Sequence, residues 1–175
     1  AEERSRKEFG NSFKALEDFI KELNLKTEIR SVEEATIMRA SQLTQKTNQF
    51  NLTTARYSEE KLREFLKRGG IAWTIKAQDR FGDYGIIGLI MIDPDSSKWR
   101  VENFLLSCRI LGRGIEKQLV EYLINEAGKS KVKAITAEYR PTSKNKQTEN
   151  FWVNAGFNLI EKSENRKLYN YDVKK

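Results

Sequence analysis

The chain has 175 residues, 33% of them charged, with a net charge of +7, one cysteine and no histidine. The length suits one domain, and a lone cysteine forms no internal disulfide. Without histidine there is no Ser–His or Cys–His pair and no histidine metal site. General base work falls to Glu, Asp, Lys, Tyr or an ordered water, and no metal is expected. The positive charge fits an anionic partner such as a phosphorylated cofactor or an acidic carrier protein. The bland alternative is a solvated surface, since the basic residues are interspersed with acids. No nucleic-acid reader motif is recognised, and the longest apolar run, Ile86–Ile92, is too short to cross a bilayer. No secretory signal is visible. The expectation is a cytoplasmic protein that binds neither nucleic acid nor membrane.

In chain order, Phe9, Phe13, Leu16, Ile20 and Leu23 recur at steps of four and three, predicting an amphipathic helix that ends near Asn24. The boundary falls there, with a leading helix over residues 1–25 and a domain over 26–175. "KTEIRSV" reads as a strand. Ser31 with Glu34 three residues on predicts a capping box opening a helix over 33–45. A polar stretch, "TQKTNQFNLTTARY", leads to Ser58, which caps a helix over 59–68 closed by Gly69-Gly70. The period then changes. Residues 71–79, 84–93 and 99–109 read as three strands with short turns, an antiparallel meander. Gly112-Arg113-Gly114 opens a helix to about Ala127. "KAITAEYR" is a strand, "KNKQTENFWVNA" a helix, and "FNLIEKSE" with "KLYNYDV" a hairpin. The predicted class is α/β, a mixed and mostly antiparallel sheet with flanking helices. After the leading helix the order is β-α-α-β-β-β-α-β-α-β-β.

A strand that runs into Gly-x-Gly and then a helix suits phosphate. The first helical turn leaves its amide N–H groups unpaired, and the helix dipole adds partial positive charge there. Glycines let the backbone approach an anion closely, and Arg109 and Arg113 flank the turn with side-chain donors. The competing account is an ordinary glycine-rich connection with surface arginines. Cys108, beside Arg109, reads either as a thiolate nucleophile or as a small apolar residue at a strand end.

The pattern Arg109-x-x-Gly112-x-Gly114, between the fourth strand and third helix of this order, resembles the GCN5-related N-acetyltransferase (GNAT) superfamily. Asn145 and the "FWVNAGF" ending at Phe157 match its later segment. The resemblance covers roughly residues 26–173 and implies the GNAT-type acyl-CoA N-acyltransferase fold. In that fold the fourth and fifth strands splay apart and pantetheine lies between them, on strand backbone groups. It implies a coenzyme site for coenzyme A or acyl-coenzyme A formed by Leu106, Arg109, Ile110, Leu111, Gly112, Arg113, Gly114, Ile115 and Asn145. The superfamily's tyrosine acid is replaced here by Trp152, whose indole is far too weak an acid for that role. Tyr139 is the substitute candidate, Glu102 the candidate base, and Cys108 a candidate acyl acceptor.

A narrower resemblance rests on "QLTQKTNQFNLTTARYS", "LLSCRILGRGIE" and "YRPTSKN". These look like the C-terminal, acetyltransferase-like domain of FkbH-like proteins. Those proteins join it to an upstream haloacid-dehalogenase-type domain, and some load glyceryl units onto acyl carrier proteins in polyketide biosynthesis. The resemblance implies that carrier-bound phosphopantetheine replaces or accompanies coenzyme A, that an acyl carrier protein is the partner, and that the leading helix is an interdomain linker. It also implies that Gln45, Asn48, Gln49, Phe50, Asn51 and Thr53 line the substrate side, where a solvated loop is the alternative. Acyl transfer and a noncatalytic carrier-docking module with a degenerate site both remain open at this level.

Overall fold

The computed structural model describes residues 15, 18, 24–107 and 114–173. Ala15 and Asp18 are helical, and the rest of the expected leading helix lies outside the described residues. One seven-stranded sheet runs in the order β1-β2-β3-β4-β5-β7-β6. Its strands are β1 (Lys26–Ser31), β2 (Ile71–Asp79), β3 (Gly82–Pro94), β4 (Lys98–Leu106), β5 (Ala134–Tyr139), β6 (Asn158–Lys162) and β7 (Lys167–Asp172). Every neighbouring pair is antiparallel except β4 with β5. The mixed, mostly antiparallel sheet matches the expectation from sequence.

Helices cover both faces, which is why β3 carries an unbroken apolar run rather than an alternating one. Helices α1 (Ile37–Lys46) and α2 (Glu59–Lys67) close one side, where Ile37, Leu43, Leu62 and Phe65 meet Leu89 and Met91. Helices α3 (Ile115–Lys129) and α4 (Phe151–Asn154) close the other. There Leu119, Leu123 and Trp152 share a core with Ile90, Ile92 and Phe104. Successive β3 side chains thus point to opposite faces.

Local signals succeed where tertiary structure does not compete with them. Ser58 caps α2 by accepting a hydrogen bond from the Lys61 amide at 3.2 Å. Gly69, at φ +102°, takes the left-handed conformation that ends that helix. The capping box at Ser31 does not form. Ser31 is still paired with Trp73 of β2, and the Val32 amide donates to the Ala72 carbonyl at 2.9 Å. The sheet holds the chain extended past Ser31, so α1 starts at Ile37, and Glu34 pairs with Arg63 instead. The helix expected over 144–155 is also broken, into a 3₁₀ turn (Lys146–Thr148) and the short α4. The Asn145 carbonyl accepts from both the Thr148 amide, at 2.9 Å, and its hydroxyl, at 2.7 Å, which tightens that turn.

The parallel β4–β5 pairing runs only from Lys98↔Ala134 to Val101↔Ala137. Beyond it the strands part, and the gap is filled by the chain itself. Asn51 bridges Leu105 in antiparallel sense. The Leu52 amide donates to the Phe104 carbonyl at 3.2 Å, and the Leu106 amide to the Phe50 carbonyl at 3.0 Å. On the other side the Arg140 amide donates to the Leu52 carbonyl at 2.8 Å. Phe50–Leu52 is therefore a short stand-in strand wedged where β4 and β5 diverge.

Asn145 fastens it. Its Nδ2 donates to the carbonyls of Asn51 and Arg140, each at 2.9 Å, and its Oδ1 accepts from the Thr142 amide at 2.8 Å. Asn51 is buried too, donating from Nδ2 to the Thr47 carbonyl at 3.0 Å and accepting from the Thr54 amide at 2.8 Å. That last bond holds Thr54 at φ +54°, a strained conformation for a β-branched residue.

Replacing Asn145 with Ala should remove the fastening and leave buried carbonyls without donors. The expected loss is about 2–4 kcal/mol, read as a lower midpoint in urea unfolding. Gly70→Ala should cost about 1–3 kcal/mol in the same assay, because its Cβ would stand 2.5 Å from both the ring and the carbonyl of Phe65.

Candidate functional site

Helix α3 begins at Gly114, at φ +81°, with no side chain capping its first turn. Beside it lies a groove of about 470 Å³ between α3 and the segment 147–155. Val120, Ile124, Phe151 and Ala155 form apolar parts of its wall, while Lys117, Gln147, Asn150 and Asn154 supply polar ones. Glu116 also lines it, and the Glu116 Oε2 is a buried acceptor without a hydrogen-bond partner among the described residues. An acceptor in that state favours a ligand that brings an N–H group.

Phe50 closes the inner end. It packs edge-on against Phe151, with ring centroids 5.2 Å apart, and tilted against Phe104 at 6.1 Å. It also lines a second cavity, of about 320 Å³, together with Arg39, Lys46, Asn48, Gln49 and Ser107. Phe50, on the stand-in strand, lines both cavities.

The residues expected to form the site are not all gathered in one place. Cys108, Arg109, Ile110, Leu111, Gly112 and Arg113 lie outside the described residues. Leu106, Ile115 and Asn145 are fully buried. Leu106 presents its amide to Phe50, and Asn145 directs its side chain to the protein's own loops. Glu102 sits on β4 just past its last pair with β5, with its carboxylate accepting from Arg100 at 2.7 Å. The Tyr139 hydroxyl lies 3.3 Å from the Asn145 Oδ1 and is buried away from the groove lining. Burial first, then the negative charge of Glu149, raises that phenol above the usual tyrosine range.

Gln45, in the last turn of α1, donates from Nε2 to the Tyr57 carbonyl at 3.3 Å, and on the loop before α2 the Thr53 hydroxyl donates to the Glu102 carbonyl at 3.1 Å. Asn48, Gln49 and Phe50 face the second cavity, while Asn51 is buried within the loop. Tyr57 is half-buried, and desolvation, followed by the Glu102 charge, raises its phenol as well. Trp152 is core, 1% exposed and in contact with Phe104, Phe151 and Phe157. Sequence reasoning missed the groove residues Glu116, Lys117, Gln147 and Asn150, and it missed the stand-in strand. The alternation Phe50-Asn51-Leu52 inside a polar stretch was the available signal for the strand.

These residues fit a coenzyme of pantetheine type in one part and not in another. The groove is amphipathic and offers an orphaned acceptor, which suits an arm that alternates methylene and amide units. The strand edge does not fit, because the Phe104 carbonyl and Leu106 amide are already bonded to Leu52 and Phe50. Among the described residues no group of acids and cysteine could hold a metal ion, and no helix is long and apolar enough to cross a membrane.

No family model matches the chain, and no curated protein matches it. Solved structures do. The ribosomal-protein-S18-alanine N-acetyltransferase of Escherichia coli superposes with a TM-score of 0.67 at 14% identity, over 85% of this chain and 94% of that one. A GNAT family acetyltransferase from Elizabethkingia anophelis, solved with acetyl-CoA bound, gives 0.61 at 16% identity over 83% and 97%. One from Staphylococcus aureus gives 0.63 at 14% identity over 85% and 100%. With its seven strands, its single parallel pair at β4–β5 and helices on both faces, this chain has the GNAT-type acyl-CoA N-acyltransferase fold.

Proposed function

We propose that the chain is an acyltransferase-type domain that takes a pantetheine thioester, on coenzyme A or on an acyl carrier protein. In this reading it assists acyl or glyceryl transfer as the C-terminal part of an FkbH-like enzyme. The observation that carries the reading is the groove beside the N-terminus of α3, with its unpartnered Glu116 oxygen, in a fold that one similar structure shows with acetyl-CoA bound. Arg109, Gly112, Arg113 and Gly114 would hold phosphate oxygens. Glu116, Lys117, Gln147 and Asn150 would hold the pantetheine arm. The thioester supplies an activated acyl group, and the chain supplies position and polarisation.

Glu102 is the proposed base for an attacking amine or hydroxyl, placed at the mouth of the β4–β5 separation. Direct attack is preferred to relay through Cys108, because no histidine exists to activate the thiol. Tyr139 supports the site through Asn145 rather than donating a proton to the leaving group. The second reading, a noncatalytic module that docks an acidic carrier protein, is favoured by the stand-in strand, which occupies the backbone groups a bound pantetheine would use between β4 and β5.

Calorimetric titration with coenzyme A, acetyl-coenzyme A and apo and holo carrier protein tests both readings. Binding of a free coenzyme at about a hundred times its dissociation constant should stabilise the fold by roughly 2.7 kcal/mol. Asn154→Trp, an exposed position on the groove wall, should weaken coenzyme binding at least tenfold. Equal affinity for apo and holo carrier would establish docking instead. No binding of any pantetheine ligand to folded protein would remove the acyltransferase reading.

A further inference from the structure

The cavity on the α1 side of Phe50 differs in charge from the groove on the α3 side. Glu116, Glu121 and Lys117 line the groove, two acids to one base. Arg39 and Lys46 line the second cavity, and among the described residues no carboxylate does. Arg39 is half-buried, and its Nη2 donates to the Ile86 carbonyl at 3.2 Å, which fixes the guanidinium. A guanidinium carries five N–H groups in a rigid fork, so donors remain for a ligand.

The end of α1 would ordinarily repel an anion here through its unpaired carbonyls. Arg56 removes that obstacle. Its Nη1 donates to the carbonyls of Thr44 and Thr47, the latter at 2.9 Å. Its Nη2 donates to the Asn48 Oδ1, which leaves the Asn48 Nδ2 as the free end of that amide. Gln49 and Ser107, which also carry donor groups, line the same cavity of about 320 Å³.

We propose that this cavity is a binding site for a small oxyanion, a carboxylate or phosphate group, on the other side of the loop that carries Phe50, a residue that lines both it and the groove. The site stands on its own lining residues. It rests on the acyltransferase reading only in being the side from which an acceptor or an anionic acyl group is presented.

The test is calorimetry at low ionic strength with inorganic phosphate and with succinate as probes. Wild-type protein should bind at least one of them. Lys46→Gln, an exposed position, should weaken that binding threefold or more, and Arg39→Gln should weaken it tenfold or more. Asn154→Trp, which fills the other cavity, should leave it unchanged. Binding of phosphate alone assigns a phosphorylated ligand, and binding of succinate alone assigns a carboxylate. No binding to the wild type, or equal binding by folded wild type and Lys46→Gln, would overturn the site. Coenzyme titration of the same variants separates the two ideas. Lys46→Gln that loses the oxyanion but keeps coenzyme A supports both, whereas oxyanion binding without binding of coenzyme A or holo carrier protein retains the site and removes the acyltransferase role.

Discussion

Strands that separate within a sheet expose backbone donors and acceptors that must be bonded by something. In this protein β4 and β5 pair through Val101 and Ala137 and then part, and the requirement falls on Phe50–Leu52. Much of the site follows from that. The loop before α2 is drawn into the core, so Asn51 and Leu52 are completely buried. Phe50 stands at the end of one cavity and the edge of another. Asn145 sits at the centre because only an amide side chain can give two hydrogens and accept others at the same point.

Much of the architecture was legible in the sequence, and for a consistent reason. The meander of β2, β3 and β4, the helix α3 and the final hairpin are local elements whose periods and turns sit in adjacent residues. The cap at Ser58 was legible because nothing remote competes for that serine. Ser31 carries an equally good local signal, yet β2 holds it in the sheet. The helix expected after Asn145 was interrupted because Thr148 and the loop at Asn51 bind the residue that should have opened it. The parting of β4 and β5 came from the superfamily resemblance, and the chain's own occupation of that gap did not. The Gly112-Gly114 turn, the strongest motif in the sequence, lies largely outside the described residues, so the phosphate role proposed for it rests on the motif.

The charge of the chain also reads differently once its partners are known. Arg63 pairs with Glu34, Arg100 with Asp93 and Glu102, and Arg140 with Glu138. Such exposed pairs contribute little to stability individually, but they neutralise their own neighbourhoods. Excess positive charge therefore matters where no acid stands opposite it, and among the described residues the cavity lined by Arg39 and Lys46 is such a place. Several of these pairs are local, as Arg100 with Glu102 and Arg140 with Glu138, so the interspersed acids neutralise the strands that carry them.

The stand-in strand has a consequence for the order of folding. Its bonds tie residues 50–52 to residues 104–106 and to Arg140, and the Asn145–Asn51 contact spans 94 positions. Closing loops of that length yields no enthalpy until the distant partners meet. The hairpins of β2, β3 and β4 close over short spans, so they assemble before the wedge has anything to enter. The wedge is thus a late latch whose amides, at Leu52, Leu106 and Arg140, should exchange with solvent sooner than those of the meander's centre. The segment that forms last thus adjoins the place where chemistry is proposed, since Phe50 lines the groove.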